Sequence, residues 1–136
     1  MKPTALFKYL FLCLALPFTL CVSAQKTVAQ IDTLLVGIWQ GTSICQVKNS
    51  PCHDEIVVYH ISKNKDVDTF FINASKMVNG AEEEMGILPF VYNKKKNQFI
   101  STAYGLWTFN IDGDKLEGTL LVRGVLYRKI KLTKHF

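Results

Sequence analysis

No stretch of this 136-residue sequence is long and apolar enough to cross a bilayer as a helix. The longest apolar run, Tyr9 to Leu20, is about 12 residues, against the ~20 that a spanning helix needs. Helical periodicity is missing beyond a single turn, which excludes a helical bundle. Also absent is a face on which basic residues interleave with exposed aromatics, so nucleic acid is not an expected partner. No serine among Ser43, Ser62, Ser75 and Ser101 stands in a nucleophile motif, and nucleophilic catalysis needs a base and an orienting group beside the attacking atom. Zinc is excluded on spacing. His53 and His60 follow Cys45 and Cys52, but no second cysteine pair completes a ligand set. Asp112-Gly113-Asp114 lacks the later glutamate and the oxygen ligands of a calcium loop. No metal, no cofactor and no catalytic residue is therefore expected.

What is present begins with an export signal. Lys2 and Lys8 precede the apolar run, and Cys21-Val22-Ser23-Ala24 closes it with small residues at the two positions that signal peptidase requires. The cut is placed before Gln25, so residues 1–24 form the signal peptide, 25–35 a tail with a short helical turn, and 36–136 a single domain. Cleavage removes two lysines and two of the four cysteines, leaving 112 residues and lowering the net charge from +5 to +3. Cys45 and Cys52 then remain as an even pair in an oxidising compartment, where a disulfide is the expected state. The mature protein is expected to be secreted or periplasmic, a monomer, and without a membrane span.

The mature chain reads as strands between turns. Ile31, Leu34 and Leu35 are spaced as one helical turn, with Asp32 in a position to cap it. Eight strands are predicted: 36–47, 54–63, 66–75, 84–92, 98–103, 106–111, 115–122 and 125–133. Asn79-Gly80 is the strongest hairpin dipeptide, and Pro89 argues for an edge or bulged position in the fourth strand. Short strands joined in sequence by tight turns point to an all-β fold, an eight-stranded up-and-down antiparallel barrel with a short N-terminal helical turn. A sandwich is the second choice, because no long crossover connection is visible.

Gly37-Ile38-Trp39 opens the first strand, and Arg128 lies in the last. Leu126, Arg128, Ile130 and Leu132 alternate on one apolar face, so Arg128 is a cation that needs hydrogen-bond partners or an aromatic plane. First and last strands meet in a closed barrel, which brings Trp39 and Arg128 within reach of one another. This pattern resembles that of the calycins, the lipocalins and their relatives, in which a Gly-x-Trp of the first strand packs under an arginine of the last. The compact size is also similar to avidin-type barrels, and less closely to bacterial metalloprotease inhibitors, whose disulfide spans a longer loop. The resemblance implies that Gly37, Trp39 and Arg128 close one barrel end together.

The remaining charged residues read as solvated turns and loops: Asp54/Glu55, Asp66/Asp68, Glu82-Glu83-Glu84 and Lys94-Lys95-Lys96. His60, in mid-strand, reads as a structural histidine. Aromatics are plentiful, and Tyr59, Phe71, Phe90, Tyr104 and Trp107 are the candidate ligand-binding residues if the barrel interior is hollow. The leading expectation is a non-enzymatic, lipocalin-like binding protein for a small apolar or amphipathic ligand. Two alternatives involve a protein partner. One is a secreted protease inhibitor that uses the tail 25–32 or the Cys45–Cys52 hairpin. The other is an envelope-associated interaction protein.

Overall fold

The computed structural model describes residues 28–65 and 68–136. The expected signal peptide, the first residues of the tail, and Asp66, the expected start of the third strand, lie outside the described residues. A short helix α1 (Val28–Leu35) is followed by eight strands: β1 (Gly37–Cys45), β2 (Glu55–Lys63), β3 (Thr69–Val78), β4 (Ala81–Asn93), β5 (Gln98–Ser101), β6 (Leu106–Asp112), β7 (Lys115–Val122) and β8 (Val125–His135). They form one closed barrel in sequence order, with β8 returning to β1. All neighbours are antiparallel, and Gly41 of β1 stands opposite Val57 of β2 on one side and Leu132 of β8 on the other. No described helix is long and apolar enough to cross a membrane.

The turns form where the chain permits positive φ. Asn79-Gly80 has φ of 52° and 79°, and Arg123-Gly124 has 52° and 78°, the two-residue pattern whose twist matches flanking strands. Two bulges interrupt the ladders. Met85 is an extra residue on β4 opposite the Ala74–Ser75 step, and Tyr127 is an extra residue on β8 opposite Leu120–Leu121. An extra residue shifts the two-residue alternation, so Leu126 leaves the face that carries Arg128, Ile130 and Leu132. Pro89 sits where β4 can spare an N–H, since β4 pairs with β5 only over Val91–Asn93.

α1 plugs one end of the barrel. Ile31 and Leu35, one turn apart, are buried against the core with Trp39, Ile61, Phe70 and Leu116. Each such side chain contributes roughly 1.5–3 kcal/mol by leaving water. Asp32 does not cap the helix, which begins at Val28; it lies mid-helix and pairs with Lys63 at 3.0 Å. The C-terminal end is where α1 is tied down. Trp39 Nε1 donates to the Leu35 carbonyl at 2.7 Å, and Lys134 Nζ donates to the carbonyls of Thr33 (3.0 Å) and Leu34 (2.7 Å). A cation there meets both the carbonyls of the last helical turn and the negative end of the helix dipole.

The expected Trp39–Arg128 contact is not formed. Arg128 is paired in register with Cys45, at the far end of β1, whereas Lys134 is paired with Trp39 and holds its ammonium 5.6 Å from the indole ring. Lys134 therefore occupies the place that the resemblance gives to Arg128. The reason is register: β8 continues to His135, two residues past its expected end, and carries the inward alternation on from Arg128, Ile130 and Leu132 to Lys134. Gly37 makes room for this arrangement. With φ of 136° it adopts a backbone conformation suited to glycine, and a Cβ there would lie 3.1 Å from Lys134 Cε.

Candidate functional site

The barrel interior has two unequal halves. Towards α1 it is solid, filled by aromatic rings in edge and offset contact. Phe70 meets Phe99 edge-on at 5.4 Å, Tyr92 stacks on Phe99 at 4.8 Å, and Phe90 leans on Phe109 at 5.5 Å. Gly118 lets the Phe109 ring lie flat across β7, because a Cβ at Gly118 would overlap that ring. Towards the other end, beyond Tyr59 and Trp107, the side chains shrink to Ala74, Gly86 and Ser43, and a cup of about 370 Å³ opens. Tyr59 packs edge-on against Phe109 at 6.2 Å and Trp107 stacks over it at 6.4 Å, so the solid half forms the cup's floor. Trp107 is fixed by donating its Nε1–H to the Ala103 carbonyl at 2.9 Å.

The walls are apolar on the β3–β4 side, from Ala74, Leu88 and the Met85 bulge, with Leu120 of β7 also lining the cup. The polar side is built by the ends of β1 and β2 and the start of β8. Arg128 Nη1 lies 3.2 Å from Glu55 Oε2 and donates to Ser43 Oγ (3.1 Å), the Ser43 carbonyl (3.3 Å) and the His53 carbonyl (3.2 Å). Both charged side chains are only 14% exposed. The disulfide Cys45–Cys52 closes the β1–β2 connection beside them, and Asp54 Oδ1 accepts from the Cys45 N–H at 2.9 Å. Glu55 is thus no solvated turn residue. It shares the inward face of β2 with Val57, Tyr59 and Ile61, and the guanidinium compensates its burial.

Tyr59 sits between this polar side and the floor. It is 3% exposed and lines the cup, and no described residue hydrogen-bonds its hydroxyl, which is not among the fully enclosed unpaired atoms. Burial holds its phenol well above the ordinary tyrosine range; Arg128 pulls it down and Glu55 pushes it up, both by smaller amounts. The side chain therefore stays a neutral donor and acceptor at any physiological pH.

Of the aromatic candidates, Tyr59, Tyr104 and Trp107 line the cup, with Tyr104 at its rim and 89% exposed. Two do not. Phe71 alternates with inward Phe70 and Ile72 and so stands on the outer face, opposite Pro89; Phe90 is buried in the solid half beneath the floor. His60 points outward and pairs with Glu82 at 2.8 Å. Ser43, Glu55 and Leu120 belong to the cup and are not among the residues expected there. Their signal is present in the sequence, since each falls on the inward alternation of its strand.

No protein-family model matches this sequence. No curated protein matches it either. Among solved structures, the chain is similar to the siderocalin Ex-FABP, described as functioning through dual ligand specificities. The two share 13% identity with a TM-score of 0.51, over 75% of this chain and 70% of that one. With eight antiparallel strands closed in sequence order and a Gly-x-Trp strand sealed by a short helix, this chain has a calycin-like fold, a barrel of the lipocalin type.

Proposed function

We propose that this protein is a non-enzymatic binding barrel that works outside the cytoplasm and holds a small apolar or amphipathic molecule in its cup. One observation carries the reading: the interior is packed solid on one side of the Tyr59–Trp107 level and open on the other, with an apolar wall facing a small polar cluster. A cup of about 370 Å³ is within the ~300–1,000 Å³ range of small-molecule sites, and apolar walls with a few fixed polar groups are their usual lining. The charged groups present, Glu55 and Arg128, are tied to each other and to Ser43, which suits holding a molecule more than attacking one. The fold likeness to a siderocalin supports the same reading. Burial of Ile31 in the barrel weighs against the tail as an inhibitory wedge.

The test is titration of the mature chain, residues 25–136, with the neutral fluorophore Nile red. Saturable one-to-one binding is expected, and Trp107→Ala, which removes the stacked floor, should weaken it about tenfold. No saturable binding to folded wild-type protein would remove the basis for the proposal. The exported form should begin at Gln25, as read by mass spectrometry of the extracytoplasmic fraction.

A further inference from the structure

The lining of the cup also bears on the head group of its occupant, an inference that rests on the binding reading above. Among the described residues, the charged side chains of the lining are Glu55 and Arg128, which neutralise each other at 3.2 Å. Arg128 is further held by the Ser43 hydroxyl and by the Ser43 and His53 carbonyls. Beside them, no described residue hydrogen-bonds the Tyr59 hydroxyl, which is not among the fully enclosed unpaired atoms and belongs to a side chain that lines the cup. A polar group on the wall of a cup gains from a ligand atom that completes its hydrogen bond and loses when an apolar one covers it.

These facts discriminate between head groups. A ligand carboxylate would either lie beside Glu55, with like charges in a medium that screens poorly, or displace it from Arg128 and strand a buried anion. An uncharged oxygen meets neither obstacle. It accepts from, or donates to, Tyr59 and leaves the ion pair intact. We infer that the cup selects uncharged amphiphiles, long-chain alcohols, esters or amides, over the corresponding free acids, with the ligand's polar head on the Tyr59 hydroxyl and its chain against Leu88, Leu120 and Trp107. Glu55 is the specificity-determining residue: it cancels the arginine that would otherwise draw carboxylates in.

The experiment is displacement of Nile red from the mature protein by decanol, methyl decanoate and decanoate at pH 8. Decanol and methyl decanoate are expected to compete at concentrations about tenfold lower than decanoate. Tyr59→Phe, which keeps the ring and removes the hydroxyl, should weaken the alcohol and the ester about fivefold relative to decanoate, with each competition corrected for the variant's own Nile red affinity. Glu55→Gln keeps the shape, unmasks Arg128 and should bring decanoate level with decanol or ahead of it. Decanoate binding as tightly as decanol to the wild type would overturn the inference, as would a Tyr59→Phe protein of unchanged circular dichroism that binds all three as before. In either case the binding-barrel reading would stand. If Nile red itself fails to bind, that reading fails first. The three-ligand comparison on the wild type needs no variant to fold.

Discussion

A single lysine decides how the barrel is sealed. Lys134 reaches two carbonyls at the end of α1 and lies near the Trp39 ring, so it joins helix, first strand and last strand. Burial among these groups lowers its pKa from the ordinary lysine value, yet the carbonyls reward the charged form. Lys134→Met keeps the stem and removes the charge. It should lower the unfolding free energy by about 1–2 kcal/mol, read from urea denaturation followed by tryptophan fluorescence. Tyr59 supplies the pH counterpart. Its folded pKa is raised above the unfolded value near 10, so the folded state retains a proton that the unfolded chain gives up. Stability from this group is intact below about pH 10 and falls as pH rises beyond it. The urea midpoint should drop more steeply above pH 10 for the wild type than for Tyr59→Phe; equal slopes would remove Tyr59 as the cause.

Among the elements, the β1–β2 connection matters most for the cup. Its disulfide joins residues seven apart, and the loop brings the His53 carbonyl to Arg128 and Asp54 to the backbone of Cys45. Replacing both cysteines by serine should cost about 2 kcal/mol, the low end for disulfides, because the loop closed is short. The same variant should loosen Nile red binding several-fold, since one wall of the polar cluster is no longer held; unchanged affinity would show that β8 positions Arg128 without the loop. The β3–β4 turn is a simpler case. Gly80 has φ of 79°, which costs an L-residue roughly 1–2 kcal/mol, so Gly80→Ala should destabilise by about that amount without touching binding. Strand existence was legible in the sequence here, because alternation and turn dipeptides are local. Strand ends were not. The fourth strand starts at Ala81 and not Glu84, and the eighth reaches His135 and not Thr133, because pairing with a neighbour extends a strand beyond its apolar residues.

For the whole molecule, the consequence of eight strands around one plug is an interior filled unevenly. Ala74 is inward-facing, 5% exposed, and lines the cup where larger residues line the floor. Ala74→Phe should fill the cup, abolish Nile red binding and leave the melting temperature equal or higher, as added apolar contact replaces empty space. A melting temperature lowered by more than a few degrees would mean that the cup has no room for a ring.

The sequence by itself determined the architecture: all-β, eight strands, a helical turn ahead of Gly37-Ile38-Trp39, and a disulfide pair across the first turn. Two-residue periodicity, turn chemistry and cysteine parity account for these, and all are readable over a few residues. The tertiary structure alone decided which residues meet. It separated Arg128 from Trp39 and put Lys134 in its place, turned Phe71 outward, buried Glu55 beside Arg128, and left the Tyr59 hydroxyl without a partner among the described residues. Each of these depends on inter-strand register and on two single-residue bulges, which set the pairing of residues far apart in the chain and leave little trace in the local pattern.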